Sequence, residues 1–147
     1  MTTRVALDTS ALMMPVELDV RLFDELDRLL DSGPRPMDDA PGDAAITDEA
    51  GYQPVAPQPV LEELRRLAEK GGTEGTAASV GHDLATERCL PVDTEESYAD
   101  DALAELAQEG VVDAVVTNDR PLRERVLAEG IPVLALRGRN KLGLTQP

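Results

Sequence analysis

The sequence predicts an α/β fold, a three-layer α/β/α arrangement around a central parallel sheet of about four or five strands. Three observations carry that expectation. Apolar segments of strand length alternate with segments of helical periodicity. The best strand segments, residues 4–7, 111–117 and 131–136, are near-continuous apolar runs, as strands covered on both faces are. Two of them lead into an acid, Asp8 and Asp119. In open sheets of this kind, sites form outside the carboxyl ends of the strands.

Taken in order, residues 4–7 (Arg-Val-Ala-Leu) read as a buried first strand, with Asp8-Thr9-Ser10 as capping residues after it. Val16, Val20, Phe23, Leu26, Leu29 and Leu30 recur at helical spacing, which predicts one helix over 16–30. Residues 31–50 break the pattern with three prolines, two glycines, six acids and one base, and read as a flexible acidic insertion within a single domain spanning 1–147. A short strand is expected at 52–56. Pro57 and Pro59 frame the start of a helix over 60–70, closed by Gly71-Gly72. A second helix follows at 76–88, a weak strand at 89–92 and a helix at 96–108 stopped by Gly110. Residues 111–117 form the strongest strand segment, 121–129 a helix closed by Gly130, and 131–136 a last strand. The remainder, from Arg137, is left as a tail.

The composition sets bounds. The chain has 147 residues and 41% hydrophobic content, enough for a core, but only 2% aromatics, so that core must be aliphatic. No apolar run approaches the ~20 residues of a membrane span, and a strand begins almost at once with no signal peptide. A cytoplasmic protein is expected. The single cysteine, Cys89, excludes an internal disulfide and is expected to fill core space. Acids outnumber bases 29 to 14, for a net charge of −15. Lys70 and Lys141 are the only lysines. Such an excess resembles the surfaces of proteins from salt-loving organisms, where self-repulsion is screened because the Debye length falls to about 3 Å at 1 M salt. The charge is uneven: from Arg120 onward six bases face two acids, +4, which leaves −19 on the first 119 residues. That basic end is a candidate polyanion contact, and a solvated terminal face is the alternative.

Two further acidic pairs fall near helix starts. On the helix over 60–70, Val60, Leu61, Leu64, Leu67 and Ala68 form an apolar stripe. Glu63 lies at its edge and Glu62 on the solvent side. An acid so placed is costly without a cation or hydrogen-bond donors, and pairing with Arg65 or Arg66 is the alternative. Ala99, Ala102, Leu103 and Leu106 define the buried face of residues 96–108, and neither Asp100 nor Asp101 lies at its centre. Both also suit the helix dipole, just as Asp8 and Asp119 also suit helix N-caps. The four acidic positions together suggest a scaffold that gathers carboxylates around a divalent metal.

Asp8-Thr9-Ser10-Ala11-Leu12, Val60-Leu61-Glu62-Glu63-Leu64, Tyr98-Ala99-Asp100-Asp101-Ala102 and Thr117-Asn118-Asp119-Arg120-Pro121-Leu122 resemble, in order, the four acidic motifs of PIN-domain nucleases. The resemblance spans the chain except residues 31–50. It looks closest to archaeal stand-alone PIN proteins, similar both to VapC-type toxins and to the PIN nucleases of ribosomal RNA processing. It implies a metal-dependent endoribonuclease acting on RNA phosphodiester bonds, with Mg²⁺ or Mn²⁺ as cofactor, since these ions prefer oxygen ligands. By motif position it selects Asp8, Glu63, Asp101 and Asp119 as catalytic and metal-holding acids. Thr9, Ser10, Asp100, Thr117 and Asn118 would support them, and Arg120, Arg137, Arg139 and Lys141 would hold RNA phosphates. It also implies a homodimer and, for a toxin, a small antitoxin-like protein partner.

Other clustered-acid folds fit less well. A receiver domain needs an acid pair after its first strand, and a HAD phosphatase a second acid two places on, but Asp8 is followed by Thr9 and Ser10. Gly71, Gly72 and Gly75 lack the lysine of a phosphate loop. His82, the single histidine, has no nucleophile motif near it. The competing class is a non-catalytic PIN-like scaffold that binds RNA or a protein without cutting. Retention of all four acids favours the enzyme.

Overall fold

The computed structural model describes residues 3–30 and 51–147; the acidic insertion expected at 31–50 lies outside them. The elements, in order, are β1 (Thr3–Leu7), α1 (Thr9–Glu17), α2 (Leu22–Leu30), β2 (Tyr52–Pro57), α3 (Gln58–Ala68), α4 (Gly72–Arg88), β3 (Leu90–Val92), α5 (Ala99–Gln108), β4 (Ala114–Val116), α6 (Arg120–Ala128), β5 (Val133–Arg137) and β6 (Lys141–Thr145). The strands form one sheet in the order β3-β2-β1-β4-β5-β6. The first five are parallel and β6 runs antiparallel to β5. This is the expected α/β sheet, with an added antiparallel edge.

The strand order explains the layers. From β1 the chain steps outward to β2 and β3, then returns to β4 on the other side of β1 and steps outward to β5. With right-handed crossovers, α1 to α4 cover one face and α5 and α6 the other. The packing agrees: α1 lies on α4, α3 on α4, and α5 on α6. The reversal between β1 and β4 is the topological switch point, where the ends of neighbouring connections part and leave a crevice. The middle of the sheet is fully apolar: Val5, Ala6, Leu7, Val55, Ala56, Val115, Val116 and Leu134 have no exposed surface. The core is aliphatic, as the scarcity of aromatics requires. Cys89 is buried in it, and burial pushes its thiol up to about 12.

Several boundaries differ from the sequence expectation. The single helix expected over 16–30 is two. α1 begins at Thr9, ends at Glu17 after Pro15, and the chain turns at Asp19, a non-glycine residue with φ of 55°. Pro15 lacks the donor that an interior helical turn needs, and aspartate tolerates the left-handed region. α4 starts at Gly72, so Gly71-Gly72 closes one helix and opens the next. The strand expected over 111–117 pairs only at Ala114–Val116. The expected tail is β6, joined to β5 by a turn at Gly138, whose φ is 79°. Lys141-Leu142-Gly143-Leu144-Thr145 is short, carries glycine and lies at an edge, so its strand signal is weak.

Candidate active site

β1 and β4 are parallel neighbours with Leu7 opposite Val116, so the residues that follow them, Asp8 and Thr117, emerge side by side at the switch point. Asp8 is the N-cap of α1 and nearly buried, at 3% exposure. Its Oδ1 accepts from the Ala11 backbone N–H at 2.7 Å and the Ser10 hydroxyl at 2.8 Å. Its Oδ2 accepts from the hydroxyl of Thr117, which has no exposed surface. Burial pushes Asp8 up to about 6. The donors from Thr117, Ala11 and Ser10 oppose that shift and the charge of Asp100 adds to it.

The same hydroxyls continue into the segment after β4. Thr117 Oγ1 accepts from the Asp119 N–H at 3.0 Å, and Ser10 Oγ accepts from the Asn118 N–H at 3.3 Å. Asn118 Oδ1 accepts from the Leu136 N–H at 2.8 Å, which ties the segment to β5. Asp119 is the N-cap of α6, its Oδ2 accepting from the Leu122 N–H at 3.0 Å. Each acid that follows a strand is thus a cap as well, and the capping bond fixes the direction of its carboxylate.

Glu63 on α3 accepts from the Thr9 hydroxyl at 2.6 Å, where the sequence left Arg65 or Arg66 open as its partner. Asp100, in the first turn of α5, is raised by burial first, then by the charges of Asp119, Glu63 and Asp101, with Arg125 opposing. Beyond burial, the shift reflects like charges on α3, α5 and α6. Asp101, the acid that the resemblance ranks first in this motif, forms an ion pair with Arg125 at 3.0 Å. Glu63, Asp100 and Asp101 line a cleft of about 380 Å³ with Arg66, Tyr98 and Arg125.

Among the described residues no three acidic, histidine or cysteine side chains stand close enough to hold one ion together. The donor chemistry is that of a hard cation, however: carboxylate and hydroxyl oxygens with no thiol or imidazole. Mg²⁺ keeps several waters and takes as few as one or two carboxylates directly, so the donor set fits it without a three-acid cage.

The bases named from the sequence divide into two places. Arg120 opens α6, highly exposed and 4.0 Å from Glu124. Arg137, Arg139 and Lys141 sit on the β5–β6 hairpin, with Arg137 paired opposite Lys141. They are not all free: Arg137 donates to the Leu144 carbonyl at 3.3 Å, and Lys141 lies 3.8 Å from Glu25. Arg28 of α2 joins Arg137 and Lys141 around a larger cleft of about 630 Å³. Arg28 carries no signal in the sequence, and Arg66 and Arg125 figure there only as an alternative partner of Glu63 and as one of the bases of the basic end; the fold is what brings their helices to these clefts. Among the described residues no helix is long and apolar enough to cross a membrane.

A PIN like domain family model matches residues 5–36 and 46–139, and the gap between the two blocks falls inside residues 31–50. Ribonuclease VapC4 of Methanocaldococcus jannaschii is 33% identical over 88 residues, which cover 58% of this chain and 67% of that protein. The solved structure of the PIN domain endonuclease Utp24 matches with a TM-score of 0.67 at 22% identity, over 98% of this chain and 92% of that one. A domain of a functionally unknown protein from Methanocaldococcus jannaschii matches with a TM-score of 0.60 at 16% identity, over 95% of both chains. At such identities the two structural likenesses concern the fold.

Proposed function

The chain belongs to the PIN-like domain family, and from that membership we propose that it is a divalent-metal-dependent endoribonuclease, a toxin-type or RNA-processing hydrolase of phosphodiester bonds. The likeness to a ribonuclease supports RNA as the substrate. The observation that carries the reading is the crowding at the switch point. Asp8 and Asp119 are joined through Thr117, and Asp100 feels the charges of Asp119, Glu63 and Asp101. Carboxylates gathered at one edge repel one another, and a divalent cation would compensate them.

Asp8, Glu63, Asp119 and the Asp100-Asp101 pair would hold Mg²⁺ or Mn²⁺, directly or through water. When bound, the ion would polarise a phosphate oxygen and make a water more acidic. The chain's own residues do the rest. Thr117, Ser10 and the Ala11 N–H hold the Asp8 carboxylate in one direction. Thr9 orients Glu63, and Asn118 anchors the last motif to β5. Within the pair, the charges around Asp100 favour it as the acid facing the ion, with Asp101 holding Arg125. Arg120 on α6 and Arg137, Arg139 and Lys141 on the β5–β6 hairpin would steer RNA phosphates from two places on a chain of −15. A homodimer and an antitoxin-like protein partner rest on the family resemblance alone.

The test is cleavage of single-stranded and structured RNA in high salt, with Mg²⁺, Mn²⁺ or EDTA, beside Asp8→Asn and Asp119→Asn. Metal-dependent cutting lost in both variants is the expected result. Absence of cutting by the wild type, with no heat of metal binding in calorimetry, would sink the enzyme reading and favour a non-catalytic scaffold.

A further inference from the structure

The described part of the chain has three aromatic side chains, and two serve the core: Phe23 is 7% exposed and Tyr52 5%. The third, Tyr98, is 76% exposed and stands on the wall of the acidic cleft. It occupies the N-cap of α5, where Ser, Thr, Asp or Asn would each supply a side-chain acceptor worth about 1 kcal/mol. Tyr98 makes no such bond. Only its backbone carbonyl is used, by the Ala102 N–H at 2.8 Å, and any residue provides that. The phenol therefore contributes neither to the core nor to the helix start. Two guanidinium groups share its cleft, Arg66 from α3 and Arg125 from α6, the second paired with Asp101 at 3.0 Å, beside Glu63 and Asp100.

A flat ring in water, two cations and a carboxylate cluster form a set with one natural ligand class. Unpaired nucleotides present a face for stacking and phosphates on either side of it, whereas bases in a duplex are already stacked on one another. We propose that Tyr98 stacks a base of single-stranded RNA beside the scissile phosphate, with Arg66 and Arg125 contacting the flanking phosphates. The inference rests on the nuclease reading and adds to it a binding residue. Tyrosine and arginine are also common anchors at protein interfaces. A protein-docking role would leave RNA binding indifferent to Tyr98.

The experiment uses the full chain in Mg²⁺, with an RNA oligonucleotide carrying a fluorescent base analogue that is quenched on stacking. Binding is measured on the Asp119→Asn background to prevent cleavage, and steady-state cleavage on the otherwise wild-type chain. Tyr98→Ala is expected to weaken single-strand binding about 5- to 100-fold, abolish the quench, and raise KM more than it lowers kcat. Tyr98→Trp should retain both affinity and quench, and duplex binding should be the same for all three. Unchanged affinity and quench in Tyr98→Ala, or an equal loss on duplex and single strand, overturns this inference and leaves the nuclease reading standing. A chain with Tyr98 intact that neither binds nor cuts any RNA in Mg²⁺ or Mn²⁺ overturns both.

Discussion

The hydroxyl of Thr117 donates to Oδ2 of Asp8 while accepting from the backbone N–H of Asp119 at 3.0 Å. One buried side chain thus links the acids that follow the two central strands. It joins them at the point where the chain reverses its direction of travel across the sheet. The threonine fixes the spacing between Asp8 and Asp119 but cannot neutralise either, because it brings a dipole and no charge. Burial outweighs the donors around Asp8 and shifts its balance toward the neutral form, to about 6.

That shift makes a prediction about stability. Burial raises Asp8 from 3.8 to about 6 in the fold. Below 3.8 the group is protonated in both the folded and the unfolded chain and costs nothing. As pH rises through the window from 3.8 to about 6, the unfolded chain releases its proton first, so folded stability falls. Above that window the whole penalty applies, at most about 3 kcal/mol. Asp8→Asn should therefore stabilise the metal-free protein at pH 7, by about 1–3 kcal/mol or a few degrees of Tm. Mg²⁺ should raise the Tm of the wild type and not of Asp8→Asn. Thermal melts in EDTA and in Mg²⁺, at pH 4 and pH 7, check it. A variant less stable than the wild type in EDTA at pH 7 would contradict the account.

The neighbouring acids of α5 should separate in function. Asp100 is raised by burial first and then by the charges of Asp119, Glu63 and Asp101, with Arg125 opposing, whereas Asp101 pairs directly with Arg125 at 3.0 Å. We expect Asp100→Asn to lower metal-dependent cleavage by more than about 100-fold, as for a group that holds the ion. Asp101→Asn should cost about 10-fold, as for an outer partner that orients the site. Calorimetric titration with Mn²⁺ provides a readout independent of turnover. The reverse order of effects would return the role to Asp101, the residue that motif position selects.

The contrast between these two acids shows what a sequence can carry. The alternation of strands and helices, the acids at strand ends and the inward position of Glu63 follow from continuous apolar runs of strand length and a helical period of 3.6 residues. Those patterns are local, and they sufficed for the sheet and its carboxyl edge. Asp100 and Asp101 lie side by side in a first helical turn, where neither faces the core. The distinction proposed between them rests on Arg125, which lies 24 residues beyond Asp101 and meets it only in the fold. β6 was illegible for a related reason. It pairs with β5 as an edge strand without a strong pattern of its own, and one of its amides, Leu142, is satisfied by Glu25, more than a hundred residues away. The split between α1 and α2 is hidden in the sequence, despite Pro15 and Asp19 beside it, because the apolar spacing from Val16 to Leu30 runs through the break.

Packing behind the site sets a further expectation. α4 approaches α1 so closely that a Cβ on Gly81 would lie 2.7 Å from the Leu12 backbone oxygen. That atom cannot rotate away, so α4 or α1 must shift. Because α1 begins at Thr9 and carries Ser10, a shift reaches Glu63 and Asp8 through their hydroxyl partners. Gly81→Ala should cost about 1–3 kcal/mol of stability, typical of an overpacked core, and lower cleavage as well. Chemical denaturation measures the first effect. Gly71→Ala, with nothing within 4 Å of the new methyl, is the control that should leave both nearly unchanged.

Glu25 makes the last prediction. It is a buried acid of α2, and its Oε1 accepts from Arg28 at 2.7 Å and from the buried Leu142 N–H at 2.9 Å, with Lys141 3.8 Å away. The Arg28 contact, against the opposing effect of burial, holds its carboxyl below the usual 4.5, and the Leu142 N–H helps. For a depressed acid the stabilisation is present above 4.5 and is lost as pH falls through the lower, folded value. Removing the side chain leaves the Leu142 N–H without a partner at the edge of the sheet, a loss of about 1–3 kcal/mol. Glu25→Ala should show that loss at pH 7, and Glu25→Gln a smaller one, since an amide oxygen still accepts. In acid the wild type should approach the Gln variant. Hydrogen exchange should locate the effect: the amides of β6 should exchange faster in Glu25→Ala while those of β1 and β4 change only with global stability. Uniform acceleration across the sheet would mean that Glu25 acts through the whole fold and not as a staple for the strand bearing Lys141.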